Sequence, residues 1–134
     1  MEIEVVRVPP RLVKKNRHEF ARIKRLYIKY MAYQNKLPFL NPTELEQAKE
    51  GHLSEKYSIH HQIPLSCCLQ PNKFSNLVIL PIHQHKHLHK TILNPQLEGF
   101  YELPYYSKRV IEIPDINKNF AHNVIKSHKK GLNR

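Results

Sequence analysis

The N-terminal part of the chain is patterned for helices. Over residues 16–33, apolar side chains recur every three or four positions and basic side chains fill most of the others, as in an amphipathic helix with a basic outer face. A shorter helix is predicted from Pro42, because Asn41 suits the N-cap, Glu44 falls at the third helical position and Gly51 suits the end. We therefore expect residues 1–56 to form a helical N-terminal part.

The centre of the chain changes to strand patterning. Residues 57–63 predict a short strand, residues 64–75 a loop, and residues 76–80 an apolar strand. Pro81 stops that strand, and residues 82–93 return to helical periodicity. Strand, loop, strand and helix follow each other in the order of a ββα unit.

The C-terminal part is less regular. Residues 109–113 predict a strand, and residues 115–130 predict a helix with a strongly basic end. A chain of 134 residues has room for one compact core. We therefore predict a single α+β domain over residues 1–134, with residues 57–93 at its centre and residues 94–134 as a C-terminal extension.

The charge of the chain predicts a polyanionic partner. Its 22 lysines and arginines against 11 acidic residues give a formal net charge of +11. Each phosphate that a basic side chain neutralises releases a condensed counterion, a gain that does not depend on nucleic-acid sequence. We find no apolar run that predicts a membrane span and no signal peptide. A cytoplasmic protein, or one delivered into the cytoplasm of a target cell, is expected.

Histidines are concentrated in the centre of the chain. Six of the ten lie between His60 and His89. Neighbouring residues of a strand point to opposite sides, so His60 and His61 are expected to have separate roles. The neighbouring cysteines Cys67 and Cys68 lack the spacing of a structural zinc site and suit a reducing compartment.

The predicted helix that follows contains two histidine pairs at the same spacing. Residues four apart on a helix share one face, which applies to His83 with His87 and to His85 with His89. At about 100° per residue, the second pair falls within the apolar arc of the helix, whereas the first lies among lysines. We therefore predict that His85 and His89 face inward and form a metal site with a strand histidine.

These residues resemble the HNH, or ββα-metal, family of nucleases. The matching pieces are His60-His61 with Pro64-Leu65-Ser66, Asn76-Leu77, and His85 with His89. Their spacing is closest to that of the nuclease domains of DNase colicins. The resemblance covers residues 57–93, about a quarter of the chain.

The resemblance implies a role for each of these residues. His60, His85 and His89 would hold one divalent metal ion, and His61 would take a proton from the attacking water. Asn76 would tie the loop between the strands and hold His61 in orientation. Zinc or nickel suits three imidazoles, and magnesium or manganese stays open as the activating ion. The implied activity is hydrolysis of DNA, with little sequence preference, to leave 5′-phosphate ends.

The chain departs from the family where phosphate is bound. Colicin-type nucleases place a glutamate two residues before the histidine pair and an arginine a little earlier, and this chain has Ser58 and Ser54 there. A pair of glycines is also replaced by Cys67 and Cys68. The remaining candidates for binding phosphate are Lys56, Lys73, Lys86 and Lys90.

Several functional hypotheses share this set of residues. The chain could be the nuclease domain of an antibacterial toxin that an acidic immunity protein neutralises, or a stand-alone nuclease. An RNase could use the same site. The alternative outside the enzymes is a basic nucleic-acid-binding module that holds a structural metal and does not catalyse a reaction. Such a structural site has no need of His61 as a base.

Overall fold

The computed structural model describes residues 1–116. Its strands are β1 (Glu2–Val6), β2 (Tyr57–His61), β3 (Leu77–Pro81) and β4 (Lys108–Glu112), and its helices are α1 (Pro10–Tyr33), α2 (Pro42–Lys49) and α3 (Ile82–Leu88). The strands form two antiparallel two-stranded sheets, β1 with β4 and β2 with β3. The predicted α+β class is confirmed for this part of the chain.

Helix α1 begins at Pro10 rather than at residue 16, because proline is well suited to the first helical position. Its buried face consists of Tyr27, Ile28, Met31 and Ala32. These side chains share an apolar core with Ile59, Leu77 and Ile79 of the β2–β3 sheet. The Tyr27 hydroxyl also donates a hydrogen bond to the carbonyl of Leu77 at 2.9 Å. The helix therefore packs across the sheet that carries the histidine pair.

Helix α2 has the predicted ends. The side-chain oxygen of Asn41 accepts a hydrogen bond from the backbone N–H of Glu44 at 2.7 Å, and the Glu44 carboxylate accepts one from the Asn41 N–H at 3.0 Å. This reciprocal arrangement satisfies two N–H groups at the start of the helix. Gly51, just beyond the helix, has a φ of 93°, a left-handed conformation that glycine adopts at little cost.

Strand β1 was not predicted and corrects the view of residues 1–56 as a helical part. Ile3 and Val5 alternate with Glu2 and Glu4, which is the two-residue period of a strand. Val5 is fully buried and joins a second apolar core. The partner strand β4 lies at the other end of the described chain, so only tertiary packing creates this pair.

The central unit has the predicted order, with a shorter first strand and a second strand shifted by one residue. β2 ends at His61 rather than at residue 63, and β3 begins at Leu77 rather than at residue 76. The loop between them contains two 3₁₀ turns, Leu65–Cys67 and Phe74–Asn76.

The helix after β3 changes its hydrogen bonding part of the way along. The α-helical turns of α3 are followed by a π-helical turn over His89–Leu93 and a final α-helical turn over Asn94–Gln96. The backbone N–H of Asn94 donates to the carbonyl of His89, five residues back. Such π turns often occur at functional sites, and this one begins at a predicted metal ligand.

The predicted C-terminal helix falls almost wholly outside the described residues. Its first two residues, Asp115 and Ile116, lie in irregular backbone. Within residues 1–116, no helix combines the length and the apolar character needed to cross a membrane.

Candidate metal centre

Three imidazoles converge between β2 and α3. One nitrogen from each of His60, His85 and His89 lies within 4.8 Å of the nitrogens of the other two. Nε2 of His85 lies 3.1 Å from Nε2 of His89, and the His60 ring centre lies 4.9 Å and 5.3 Å from the centres of the His85 and His89 rings. The three predicted ligands are therefore close enough to bind one ion.

The short connection between β3 and α3 produces this convergence. β3 runs antiparallel to β2 and is followed at once by α3, so the helix folds back beside β2. The backbone N–H of Ile82 donates to the carbonyl of Lys56 at 3.0 Å and fixes the start of the helix beside the start of β2. One turn later, His85 faces the side chains of β2.

The helical phase predicted for the four histidines of this segment is confirmed. His85 and His89 are partly buried on the inner face, whereas His83 and His87 are exposed. The helix thus directs one pair to the sheet and leaves the other in water.

Ser58 supports one of the predicted ligands. Its hydroxyl oxygen lies 2.7 Å from Nδ1 of His85. Histidines that bind metals usually donate the N–H of their other ring nitrogen to an oxygen atom, which fixes the tautomer and the ring orientation. In the tautomer whose Nδ1–H donates to Ser58, the lone pair of His85 is on Nε2, the atom that faces His89. Ser58 occupies the position where the resembling nucleases have glutamate.

Burial keeps these imidazoles neutral. Desolvation first, and then the neighbouring His85, His89 and His61, lower the pKa of His60 to about 3. Desolvation, followed by the influence of His89 and His61, lowers the pKa of His85 to about 4. Burial also lowers the pKa of His89. A neutral imidazole is the form that binds a metal ion, so the site is prepared for a cation.

The residues fit a divalent transition ion. Nδ1 of His60 is buried and has no hydrogen-bond partner, an arrangement that costs roughly 1–3 kcal/mol for a polar atom. Tetrahedral zinc with bonds of about 2.1 Å to nitrogen places neighbouring ligand atoms about 3.4 Å apart, close to the 3.1 Å between the Nε2 atoms of His85 and His89. Three nitrogen donors favour such an ion over magnesium, which prefers oxygen.

His61 lies beside this cluster and is held by Asn72. Nε2 of His61 lies 3.1 Å from the side-chain oxygen of Asn72. The Asn72 nitrogen donates to the carbonyl of Asn16 at 2.8 Å and to the carboxylate of Glu19 at 3.4 Å, which fixes the orientation of the amide. Nε2–H of His61 must therefore donate the hydrogen bond to the Asn72 oxygen, which leaves the lone pair of the neutral ring on Nδ1.

The surroundings of His61 keep it neutral at neutral pH. Desolvation lowers its pKa, the hydrogen bond to Asn72 raises it, and the nearby His89 lowers it again. The Phe20 ring packs against the imidazole with 4.5 Å between ring centres. Helix α1 thus helps to position the predicted base, through Phe20 and through the groups that hold Asn72.

Asn76 makes the loop contacts expected for one of its two predicted roles. Its side-chain oxygen accepts from the N–H of Ile63 at 2.8 Å, and its nitrogen donates to the carbonyls of Ile63 at 3.0 Å and Pro71 at 2.9 Å. It therefore ties the loop between β2 and β3, as predicted. The side-chain amide that contacts His61 is that of Asn72, so the orienting role of Asn76 stays a prediction.

An open cleft of about 400 Å³ lies against the metal centre, and its lining includes His61, His85, His89, Arg17 and Tyr101. Arg17 belongs to the exposed basic face of α1, and nothing in the sequence relates it to the histidines. The four lysines predicted to bind phosphate are not among the lining residues. They are Lys56, which pairs with Glu44 at 3.4 Å, and the exposed Lys73, Lys86 and Lys90.

No family model, no curated protein and no solved structure matches this chain. What can be inferred of its chemistry comes from the residues of the metal centre and of the cleft beside it.

Proposed function

We propose that this chain is a metal-dependent endonuclease of the ββα-metal type that hydrolyses phosphodiester bonds in DNA. His60, His85 and His89 hold one divalent ion, and His61 is the general base. The observation that carries this proposal is that a cluster of neutral imidazoles and a separately held neutral histidine meet at one open cleft. A structural metal site usually has four protein ligands and needs no base beside it.

The number of ligands supports catalysis. Among residues 1–116, the ligand cluster consists of three side chains, and two of them line the cleft. Three protein ligands leave a coordination position for water or a phosphate oxygen, as in catalytic zinc sites. When bound, a divalent ion supplies stabilisation of the negative charge that develops on the phosphoryl and departing oxygens. Zinc and nickel are the ions we expect to bind most tightly.

His61 supplies the proton acceptor. Its Nδ1 has the lone pair because Nε2 keeps its proton and donates a hydrogen bond to the Asn72 side-chain oxygen. With its pKa lowered by burial, the ring is neutral at neutral pH and can take a proton from an attacking water. The adjacent His60 belongs to the ligand cluster, so the two neighbouring histidines have separate roles.

Arg17 is the cation best placed to bind the substrate phosphate. It is the arginine among the residues that line the cleft, and a guanidinium can donate two parallel hydrogen bonds to one phosphate. Arg17 also belongs to a shallow concave surface of about 620 Å³ on α1. The other lining residues of that surface are Arg11, Lys14, Lys15, His18 and Ala21. This basic row leads towards the cleft, which suits a polyanion backbone.

The resemblance to colicin nucleases motivates two further parts of the proposal. We take DNA cleavage with little sequence preference as the activity and RNA cleavage as the alternative on the same site. Action as an antibacterial toxin, with an acidic immunity protein as partner, is the biological setting that the resemblance favours. A small acidic protein that binds this chain and blocks its cleft would support that setting.

The activity can be tested with four proteins and two substrates. Plasmid DNA and RNA are incubated with the wild type, His61→Ala, His89→Ala and His87→Ala, in EDTA or with magnesium, manganese, nickel or zinc. We expect metal-dependent DNA cleavage that falls by about a hundredfold or more in the first two variants. His87→Ala is the matched control, because His87 is exposed on the same helix.

Calorimetry separates the two roles. His61→Ala should keep the metal affinity of the wild type, whereas His89→Ala should lose it. Wild-type cleavage by His61→Ala would contradict the general-base assignment, and cleavage in EDTA would contradict the role of the metal. Faster cleavage of RNA than of DNA would favour the alternative substrate.

A further inference from the structure

Three exposed tyrosines lie at the wall of the cleft and in the segment that follows it in the sequence. Tyr101, Tyr105 and Tyr106 have 43%, 50% and 55% of their surface in water. Tyr101 is the middle residue of the short 3₁₀ turn Phe100–Glu102, and Tyr105 and Tyr106 lie between that turn and β4. We call these three residues, with Arg7, the tyrosine surface. Clustered aromatic side chains in water leave apolar area uncovered, which is a mark of a binding surface.

Arg7 connects two of the rings. Its guanidinium carbon lies 4.9 Å from the ring centre of Tyr105 and 6.0 Å from that of Tyr101. A guanidinium NH group also donates to the carbonyl of Leu103, which anchors the cation at this site. Arg7 therefore holds the two rings near each other and brings positive charge to the surface.

Tyr106 has an unfavourable backbone conformation. Its φ of 69° lies in the left-handed region, which a bulky side chain rarely adopts. The backbone is held there by hydrogen bonds from the Tyr106 N–H to the Arg7 carbonyl at 2.7 Å and from the Ser107 N–H to the Pro104 carbonyl at 3.1 Å. Because glycine adopts this conformation without strain and the Tyr106 ring is largely exposed, folding alone does not favour tyrosine at this position.

Tyr101 connects the surface to the metal centre. It lines the cleft together with His85 and His89. Its hydroxyl lies 2.7 Å from the Ser66 hydroxyl and 3.2 Å from the Cys67 sulfur, contacts that fix the ring at the cleft wall. The tyrosine surface therefore continues outward from the place where a phosphate would react.

We propose that the tyrosine surface is a stacking platform for unpaired bases, so that the substrate is nucleic acid with a single-stranded segment at the cleft. Aromatic rings beside a basic groove are the usual features of sequence-independent single-strand binding, because every base has a flat π face. The net charge of +11 favours nucleic acid over a protein as the occupant. This proposal rests on the proposed nuclease function, because it places the nucleic-acid substrate in the same cleft. Binding of bases to the platform does not require the metal.

Binding in EDTA tests the platform without cleavage. The two ligands are a short oligothymidylate and a sugar–phosphate chain of the same length without bases. Both ligands carry the same charge. The protein has no tryptophan, so quenching of tyrosine fluorescence reports directly on stacking. We expect the base-containing chain to bind about fivefold or more tighter, the fold-change that stacking of one base produces. Equal affinities for the two chains would overturn the proposal.

Two substitutions and a control locate the effect. Tyr105→Ala and Tyr106→Gly should each weaken binding of the oligothymidylate by about fivefold, with no effect on the baseless chain. Tyr106→Gly should at the same time raise the thermal midpoint of unfolding, so a loss of folding cannot account for weaker binding. Tyr33→Ala is the control, because Tyr33 is 66% exposed at the end of α1.

The outcomes separate this proposal from the nuclease proposal. If the tyrosine surface binds a protein instead, the oligothymidylate and the baseless chain will bind with equal affinity. The two tyrosine substitutions will then leave oligonucleotide affinity unchanged, and the proposal fails. Equal weakening by Tyr33→Ala would also overturn it. Base-dependent binding in EDTA without any metal-dependent cleavage would support the platform and contradict the nuclease.

Discussion

The side-chain oxygen of Asn72 lies 3.1 Å from Nε2 of His61, and the nitrogen of the same amide is bound to the carbonyl of Asn16 and the carboxylate of Glu19. An amide fixed in this way presents its oxygen to the imidazole and can only accept a hydrogen bond from it. The position of the lone pair on the proposed base is therefore set by helix α1.

Replacing Asn72 tests this relationship. Because the Asn72 hydrogen bond raises the pKa of His61, Asn72→Ala should shift the acid limb of the pH–rate profile to lower pH. Loss of ring orientation should also reduce kcat by about tenfold or more. Calorimetric metal binding should stay unchanged, since Asn72 contacts none of the three proposed ligands. An unshifted acid limb would contradict the assignment of Asn72.

Ser58→Ala should weaken metal binding without removing a ligand. The hydroxyl of Ser58 lies 2.7 Å from Nδ1 of His85, and loss of such an outer partner typically lowers metal affinity by about 10- to 100-fold. Zinc affinity measured by calorimetric competition checks this expectation. Ser54→Ala is the control, because that hydroxyl contacts the backbone N–H of Lys56 instead. Equal affinities in the two variants would show that Ser58 does not support the site.

The metal-free protein should lose stability in mild acid. The folded-state pKa values of His60 and His85, about 3 and about 4, lie below the unfolded value of about 6.5. The unfolded chain therefore binds more protons, and stability falls as the pH drops below the unfolded value. Between about pH 7.5 and pH 5.5 we expect a loss of about 1 kcal/mol or more, since one pKa unit corresponds to about 1.4 kcal/mol.

Urea unfolding in EDTA at the two pH values measures this loss. The His60 ring lies against His85 and His89, and His61 also acts on it electrostatically, so each of these imidazoles contributes to the effect. His85→Asn should show a smaller difference between the two pH values than the wild type. The same stability at both pH values would mean that the cluster is not held neutral in the folded state.

Arg17 should contribute to nucleic-acid binding and not to metal binding. Arg17→Ala is expected to lower kcat/KM by about tenfold or more, as for a lost hydrogen bond to a charged group. It should also reduce the slope of affinity against salt concentration. Arg17→Lys should restore the slope of affinity against salt concentration more fully than kcat/KM. Lysine keeps the positive charge but lacks the two parallel N–H donors of a guanidinium. Arg22→Ala, at another exposed position of α1, is the matched control and should leave both quantities unchanged.

Asn76→Ala should destabilise the fold. The side chain is 8% exposed and makes hydrogen bonds to the backbone of Ile63 and Pro71. Its loss leaves buried peptide groups without partners, and we expect a decrease of about 2 kcal/mol or more in the free energy of unfolding. Chemical denaturation checks this value. Wild-type stability together with lost activity would support the direct role of Asn76 at His61.

The sequence determined the features that depend on local periodicity and local capping. Helical phase separated His85 and His89 from His83 and His87, because the apolar arc of a helix must face the core. Asn41 and Glu44 marked the start of α2 because they satisfy N–H groups a few residues away. The α+β class, the convergence of the three imidazoles and the loop-tying role of Asn76 followed from these local patterns together with the family resemblance.

Tertiary structure decided every relationship between residues that are distant in the sequence. The Asn72 amide is oriented towards His61 by groups of α1, because that helix packs across the β2–β3 sheet, and the same packing brings Arg17 to the cleft. β1 acquires its partner β4, and Tyr101 its place at the cleft, only when both ends of the described chain meet. Residue periods report which face of an element is buried but not which distant element covers it, so the sequence predicted the three candidate ligands and the fold selected the groups that orient them.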